Sequence, residues 1–154
     1  MELHSLTSIS PIDGRYRGQL HSLGEYFSEY ALIKYRLQVE VAYFIFLSEK
    51  KFFSISANTK KTLLSAVENF NLEDALEIKK IERTTNHDVK AVEYFLKAIL
   101  EKTKDADTKE WIHFGLTSQD INNTAIPLLW KHAMAYRFRV ARNQYWLYRL
   151  LRTT

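Results

Sequence analysis

No cysteine occurs among the 154 residues, which excludes both a disulfide framework and a thiolate metal site. Proline appears twice, as Pro11 and Pro127, and glycine four times, as Gly14, Gly18, Gly24 and Gly115. Neither breaker therefore interrupts residues 25–114, a stretch that long favouring helices. Long apolar runs are also missing. The longest, Val41 to Leu47, falls far short of the roughly 18 residues that a membrane span needs. The opening Met1-Glu2-Leu3-His4-Ser5-Leu6 has no basic segment leading into an apolar one, so neither export nor anchoring is expected and the cytoplasm is the default compartment. Acidic residues are absent after Asp120, where Lys131, Arg137, Arg139, Arg142, Arg149 and Arg152 stand unopposed. These six account for the net charge of +4, because the body before them holds 16 basic against 18 acidic residues. A body so near neutral gives no reason to expect nucleic-acid binding.

What is present is a chain 46% hydrophobic, enough for one globular domain with a sizeable core. Tyr30, Ile33, Leu37, Val41 and Phe44 recur at three- and four-residue steps, predicting a helix from about Glu25 to Glu49. Its second half is apolar nearly all round, so it is expected to be covered on several sides. Leu63, Leu64, Val67 and Phe70 predict a second helix from near Asn58. Asn71 reads as the N-cap of a third, with Glu73 and Asp74 at the positive end of its dipole and Lys79, Lys80 and Arg83 at the negative end. Val89, Val92, Leu96 and Ile99 mark a fourth from about Asn86 to Lys102, and Lys104 to Asp107 reads as a charged loop. Thr117-Ser118-Gln119-Asp120 is a capping box with Asp in place of Glu, opening a fifth helix. The resulting class is all-α, with an irregular arm over 1–24, a helical domain over 25–115 and, over 116–154, the start of a further helix with an unrecognised basic tail.

Three segments carry chemistry. Ser10-Pro11-Ile12-Asp13-Gly14-Arg15-Tyr16 is turn-rich and sets an arginine beside a tyrosine. A guanidinium grips a phosphate through two parallel hydrogen bonds, and a phenol adds a third. The plainer reading is a Pro-Asp-Gly turn with a surface arginine and a packed tyrosine. Arg83-Thr84-Thr85-Asn86-His87-Asp88 opens the fourth helix, where exposed amides favour an anion and a histidine adds a hydrogen bond. Alternatively Thr85 or Asn86 merely caps that helix. His113-Phe114-Gly115-Leu116-Thr117-Ser118 brings two hydroxyls to another helix start, suited to a carboxylate or to simple capping.

In these places the sequence resembles the adenylosuccinate lyase family of the fumarase/aspartase superfamily. The likeness lies in the Ser-Pro-Ile-Asp-Gly-Arg-Tyr arm, the run from Ile81 to Leu96, and Ile112-His113-Phe114 leading to Thr117-Ser118 and Asp120-Ile121-Asn122-Asn123. It covers about residues 1–130. The resemblance implies the all-α amino-terminal domain of such a lyase plus the first, incomplete helix of a central bundle. It also implies elimination of fumarate from adenylosuccinate and from a succinyl-carboxamide ribotide of purine synthesis, no cofactor or metal, and a homotetramer. By it Arg15 and Tyr16 contact the nucleotide, Asn86, His87 and Asp88 line the site, and Thr117 and Ser118 hold the succinyl part. The family's catalytic acid, a histidine, and its base, a serine on a mobile loop, belong to segments expected beyond residue 154. The chain alone is accordingly expected to be inactive.

Beyond Met134 no motif of the resemblance continues. Ala135 to Arg142 alternates basic and apolar residues, as a changed reading frame, a truncated gene product or a true basic tail would. The competing function is a non-catalytic interaction module whose basic aromatic tail binds nucleic acid, an acidic protein or a membrane surface.

Overall fold

The computed structural model describes residues 6–152, with side chains as far as residue 142 and at Tyr145. A 3-10 turn at Arg17–Gln19 precedes six helices: α1 His21–Phe27, α2 Glu29–Glu49, α3 Ala57–Glu68, α4 Leu72–Thr85, α5 Asp88–Leu100 and α6 Ser118–Arg152. A second 3-10 segment, Ala106–Trp111, lies between α5 and α6. Among the described residues there is no strand, and the all-α expectation holds.

The helix expected to run unbroken from Glu25 to Glu49 is two helices. Ser28 is extended at φ −93 and ψ 163, and its hydroxyl accepts the Ala31 N–H, so it caps α2. The apolar spacing continues across the break and hides it. Helical structure also begins earlier than expected, at His21, within the stretch read as an arm. The stretch read as a charged loop gives way to the 3-10 segment at Ala106.

Local chemistry explains the remaining ends. Asn71 accepts from the Glu73 and Asp74 amides while Asp74 accepts from the Asn71 amide, a complete capping box. Asn86 ends α4 in the left-handed region at φ 52, which asparagine tolerates better than most residues. Asp120 Oδ2 accepts the Thr117 N–H at 2.8 Å and its hydroxyl at 2.7 Å, opening α6 as the sequence predicts.

Helix α2 is the centre of the molecule, although Ala42 and Phe46 of its apolar second half, expected to be covered, stay exposed. One face supplies Ile33, Leu37, Val41 and Phe44 to a core shared with Leu63 of α3, Ile78 of α4, and Val92 and Leu96 of α5. Its opposite face sets Ala31 and Tyr35 against Ala125 and Leu129 of α6. Burying each large side chain contributes roughly 1.5–3 kcal/mol. Tyr35 Oη lies 2.8 Å from His132 Nδ1, adding a polar tie between α2 and α6. Helix α6 continues through Pro127 to Arg152. Leu128 and Leu129 pack on α2, Trp130, Met134 and Phe138 stay exposed, and the side chains of Trp146, Leu147 and Leu150 lie outside the described ones.

Candidate substrate-binding site at two helix N-termini

Two of the three segments singled out in the sequence meet in space. His87 is extended at φ −153 and caps α5, its Nδ1 accepting the Lys90 N–H at 3.1 Å. A ring nitrogen that accepts carries no proton, so the neutral imidazole holds its hydrogen on Nε2. That nitrogen lies 3.3 Å from Ser118 Oγ, at the first turn of α6. With its proton on Nε2 the imidazole cannot take one from Ser118, so the pair is not a nucleophile with its base. It is instead a pair of polar groups at two helix N-termini: the Val89 and Lys90 amides of α5 are already taken by Asp88 and His87, which leaves the start of α6 as the end whose dipole favours an anion.

Each neighbour has a definite partner. Asp88 Oδ1 accepts the Val89 N–H at 2.8 Å and Oδ2 lies 2.8 Å from Arg36 Nη2. Burial pushes the Asp88 carboxyl up, but the Val89 amide and the Arg36 guanidinium outweigh it and hold it below the ordinary carboxylate value. Thr117, sharing Asp120 in the capping box, has its hydroxyl already engaged. Ser118 presents its hydroxyl toward His87. Asn86 and His87 border an open polar hollow of about 560 Å³ with Glu29, Lys79, Glu82, Arg83 and Asp88. Lys79 bridges Glu29 and Glu82 at 2.7 Å each, and among the described residues Arg83 has no acidic partner. Lys79 offsets one of the two carboxylates it bridges and the charge of Arg83 balances the other, so the hollow carries no surplus positive charge.

Beneath the loop that leads to Ser118 sits a polar group within the core. Glu40 of α2 is wholly buried, and its Oε1 lies 2.5 Å from His113 Nδ1. Burial pushes its carboxyl up, the His113 contact pulls it back in part, and the charge of Glu93 adds to the rise. Glu93 itself meets Lys90 at 2.8 Å and Lys97 at 3.1 Å. His113 takes φ 60 and Gly115 φ 70, so the backbone reverses sharply just before the α6 cap.

The third segment stands apart. The Arg15 guanidinium lies 5.5 Å from the centre of the Tyr16 ring, and Asp13 pairs with Arg17 at 2.9 Å across one turn. Among the described residues no hydrogen bond or ion pair joins Arg15 or Tyr16 to His87, Thr117 or Ser118. Sequence reasoning also passed over Arg36, Asn122, Glu40 and the role of His113. A signal existed for two of them: Arg36 and Glu40 fall on the same apolar stripe as Ile33, Leu37 and Phe44, and charges on a buried stripe need partners. Among the described residues no group of histidines and acids has the arrangement to hold a metal ion.

Comparison with known proteins defines the class first. The model of a family described as lyase matches residues 14–144. The chain belongs to this lyase family. Its relatives include the adenylosuccinate lyase of Dictyostelium discoideum, 56% identical over 135 residues that make up 83% of this chain and 29% of that protein. That of Vibrio cholerae is 48% identical over 140 residues, 86% of this chain and 30% of the relative. That of Escherichia coli K12 is 47% identical over 138 residues, with coverage of 86% and 30%. The chain thus spans about 30% of the length of these relatives. The family match runs to residue 144, past Met134 where recognisable motifs end, and so takes in the alternation of basic and apolar residues there.

Proposed function

We propose that this chain supplies part of the substrate site of an adenylosuccinate lyase. The reaction is release of fumarate from adenylosuccinate, and from the related succinyl-carboxamide ribotide, in purine synthesis. One observation carries the reading beyond family membership: His87 and Ser118 face each other across the N-termini of α5 and α6, a setting suited to a carboxylate. In such an elimination a proton leaves the carbon beside a carboxylate while the carbon–nitrogen bond breaks, and negative charge builds on that carboxylate. Donors fixed in advance lower the barrier. Ser118 Oγ–H, His87 Nε2–H and the first amides of α6 are such donors, and Thr117, with its hydroxyl held by Asp120, shapes the turn that presents them. Asn86 and Asp88 border the same hollow, and Arg15 with Tyr16 is assigned to the nucleotide. The general acid and base belong to other segments of the whole enzyme, which works as a homotetramer in the cytoplasm and needs no metal or cofactor.

Calorimetric titration with fumarate and with adenosine monophosphate tests this. Ser118→Ala is expected to weaken fumarate about 10-fold, which is about 1.4 kcal/mol, while leaving the nucleotide alone. Arg15→Ala should do the reverse. Fumarate binding that is indifferent to both His87 and Ser118 would overturn the assignment.

A further inference from the structure

Arg36 is a buried cation on α2 that touches neither His87 nor Ser118, yet it joins the two helices that carry them. Its Nη2 donates to Asp88 Oδ2 at 2.8 Å, and its Nε donates to Asn122 Oδ1 at 2.9 Å. The side chain is only 8% exposed, so these two bonds do not compete freely with water. Asp88 is the first residue of α5 and follows His87 directly. Asn122 stands one helical turn after Ser118 on α6. The guanidinium therefore spans from one helix start to the other, and both prongs are set by a single rigid plane.

We infer that Arg36 is the positioning residue of this site: its two-pronged grip on Asp88 and Asn122 sets the spacing between His87 and Ser118. The other ties at this corner do not do this work. The hydrogen bond from Lys90 N–H orients the imidazole about α5 alone, and the Thr117–Asp120 capping box orients the start of α6 alone. The tie between Glu40 and His113 anchors the loop before α6 to α2 without reaching α5. Of these polar ties, that of Arg36 alone engages both helix starts at once. A lysine at this position keeps the charge but offers one compact ammonium, so it satisfies Asp88 or Asn122 and not both in the same geometry. The role of Asp88 follows: its carboxylate is taken up by Arg36 and by the Val89 amide, so it shapes the site rather than binding a substrate anion.

The consequence for ligand affinity rests on the proposed function, but the geometric claim does not, and two readouts separate them. The first is the ¹H–¹⁵N correlation spectrum of the imidazole ring of His87, assigned by His87→Asn. In the parent chain Ser118→Ala is expected to shift the Nε2 signal, because it removes the neighbouring hydroxyl. In Arg36→Lys, and in Asn122→Ala, the Nε2 signal is expected to have moved already, and adding Ser118→Ala should move it no further. In Asn122→Ala, which leaves Asp88 on Arg36, the Nδ1 signal, governed by the Lys90 amide and by the Asp88 carboxylate 3.7 Å away, should stay in place, which a general loosening of the fold would not allow. Asn122→Ala puts a good helix former on an accessible helix, so it decides the matter even if Arg36→Lys fails to fold. If both folded variants keep the parent Nε2 signal and its full response to Ser118→Ala, the inference is overturned. The second readout is fumarate titration of the same variants, with an expected loss of about 10-fold for each. Absence of fumarate binding in the parent chain would count against the proposed function, while the imidazole spectrum would still decide the role of Arg36.

Discussion

His113 Nδ1 lies 2.5 Å from Oε1 of Glu40, a carboxylate with no exposed surface, and the backbone beneath that imidazole is left-handed at φ 60. The contact pins the approach to α6 onto the middle of α2. Burial outweighs the histidine, so the carboxyl stays above its ordinary value of 4.5. A carboxyl that is harder to ionise folded than unfolded binds protons preferentially in the folded state. Its favourable contribution is present below about 4.5 and is lost as the pH rises through the folded value. Relative to Glu40→Gln, which cannot ionise, the parent chain should therefore lose stability as the pH rises from 4.5 toward neutrality. Urea unfolding of both proteins at pH 5 and pH 7.5 measures the trend, and an opposite sign would show that the ion pair dominates burial.

The Asn71 cap makes three hydrogen bonds at the start of α4. Asn71→Ala removes two of them and should cost about 1 kcal/mol. Asn71→Gly should cost a few tenths. No loss in either variant, by thermal or urea unfolding, would mean that the side chain contributes nothing.

Pro127 lies inside α6 and is exposed, so it serves no packing that an alanine would forfeit. It has no N–H to give the Asn123 carbonyl, and its ring crowds that oxygen. Pro127→Ala should raise stability, by about 1–3 kcal/mol on helix propensity. A fall in melting temperature would show that a local bend at this point is needed for α6 to follow α2.

Trp130, Met134 and Phe138 are 54%, 47% and 67% exposed and recur at four-residue steps along one side of α6. Phe27 covers only the edge of Trp130, at 5.2 Å between rings. A stripe of this kind favours association between copies of the chain. Light scattering should show a mass that rises with concentration, and Met134→Glu with Phe138→Glu should return it to that of one chain. A chain that is monomeric at every concentration would show that this stripe is not an interface between copies of the chain.

The features legible in the sequence are those whose causes lie within one turn. Asn71 with Asp74, and Thr117 with Asp120, announce helix starts because donor and acceptor are three residues apart. Ser28 is also a local cap, but the spacing from Tyr30 onward carries across it, so the periodic signal outvoted the polar one. His87 was recognised as a site residue while its capping role was assigned to Thr85 or Asn86, since a histidine is an uncommon cap. Arg36 and Glu40 could be seen as misplaced charges on an apolar stripe. Their partners Asn122 and His113 could not be read, because they stand 86 and 73 residues away and only the packing of α2 against α6 brings them near.

The central place of α2 also sets an order of events. Helices α4 and α5 are joined by two residues and can pair as soon as both exist, whereas Tyr35 and Arg36 must wait for partners 97 and 86 residues further along. At about 5–20 residues per second of synthesis, one side of α2 remains bare for about 4–20 seconds, with a guanidinium and a phenol in search of partners. Contacts of such long sequence separation form late because closing the intervening loop costs entropy before any contact repays it. The contact between His87 and Ser118 consequently forms only once α6 has docked on α2. If the proposed function holds, ligand capture at this corner times maturation: it starts when α6 docks, whichever helix formed first.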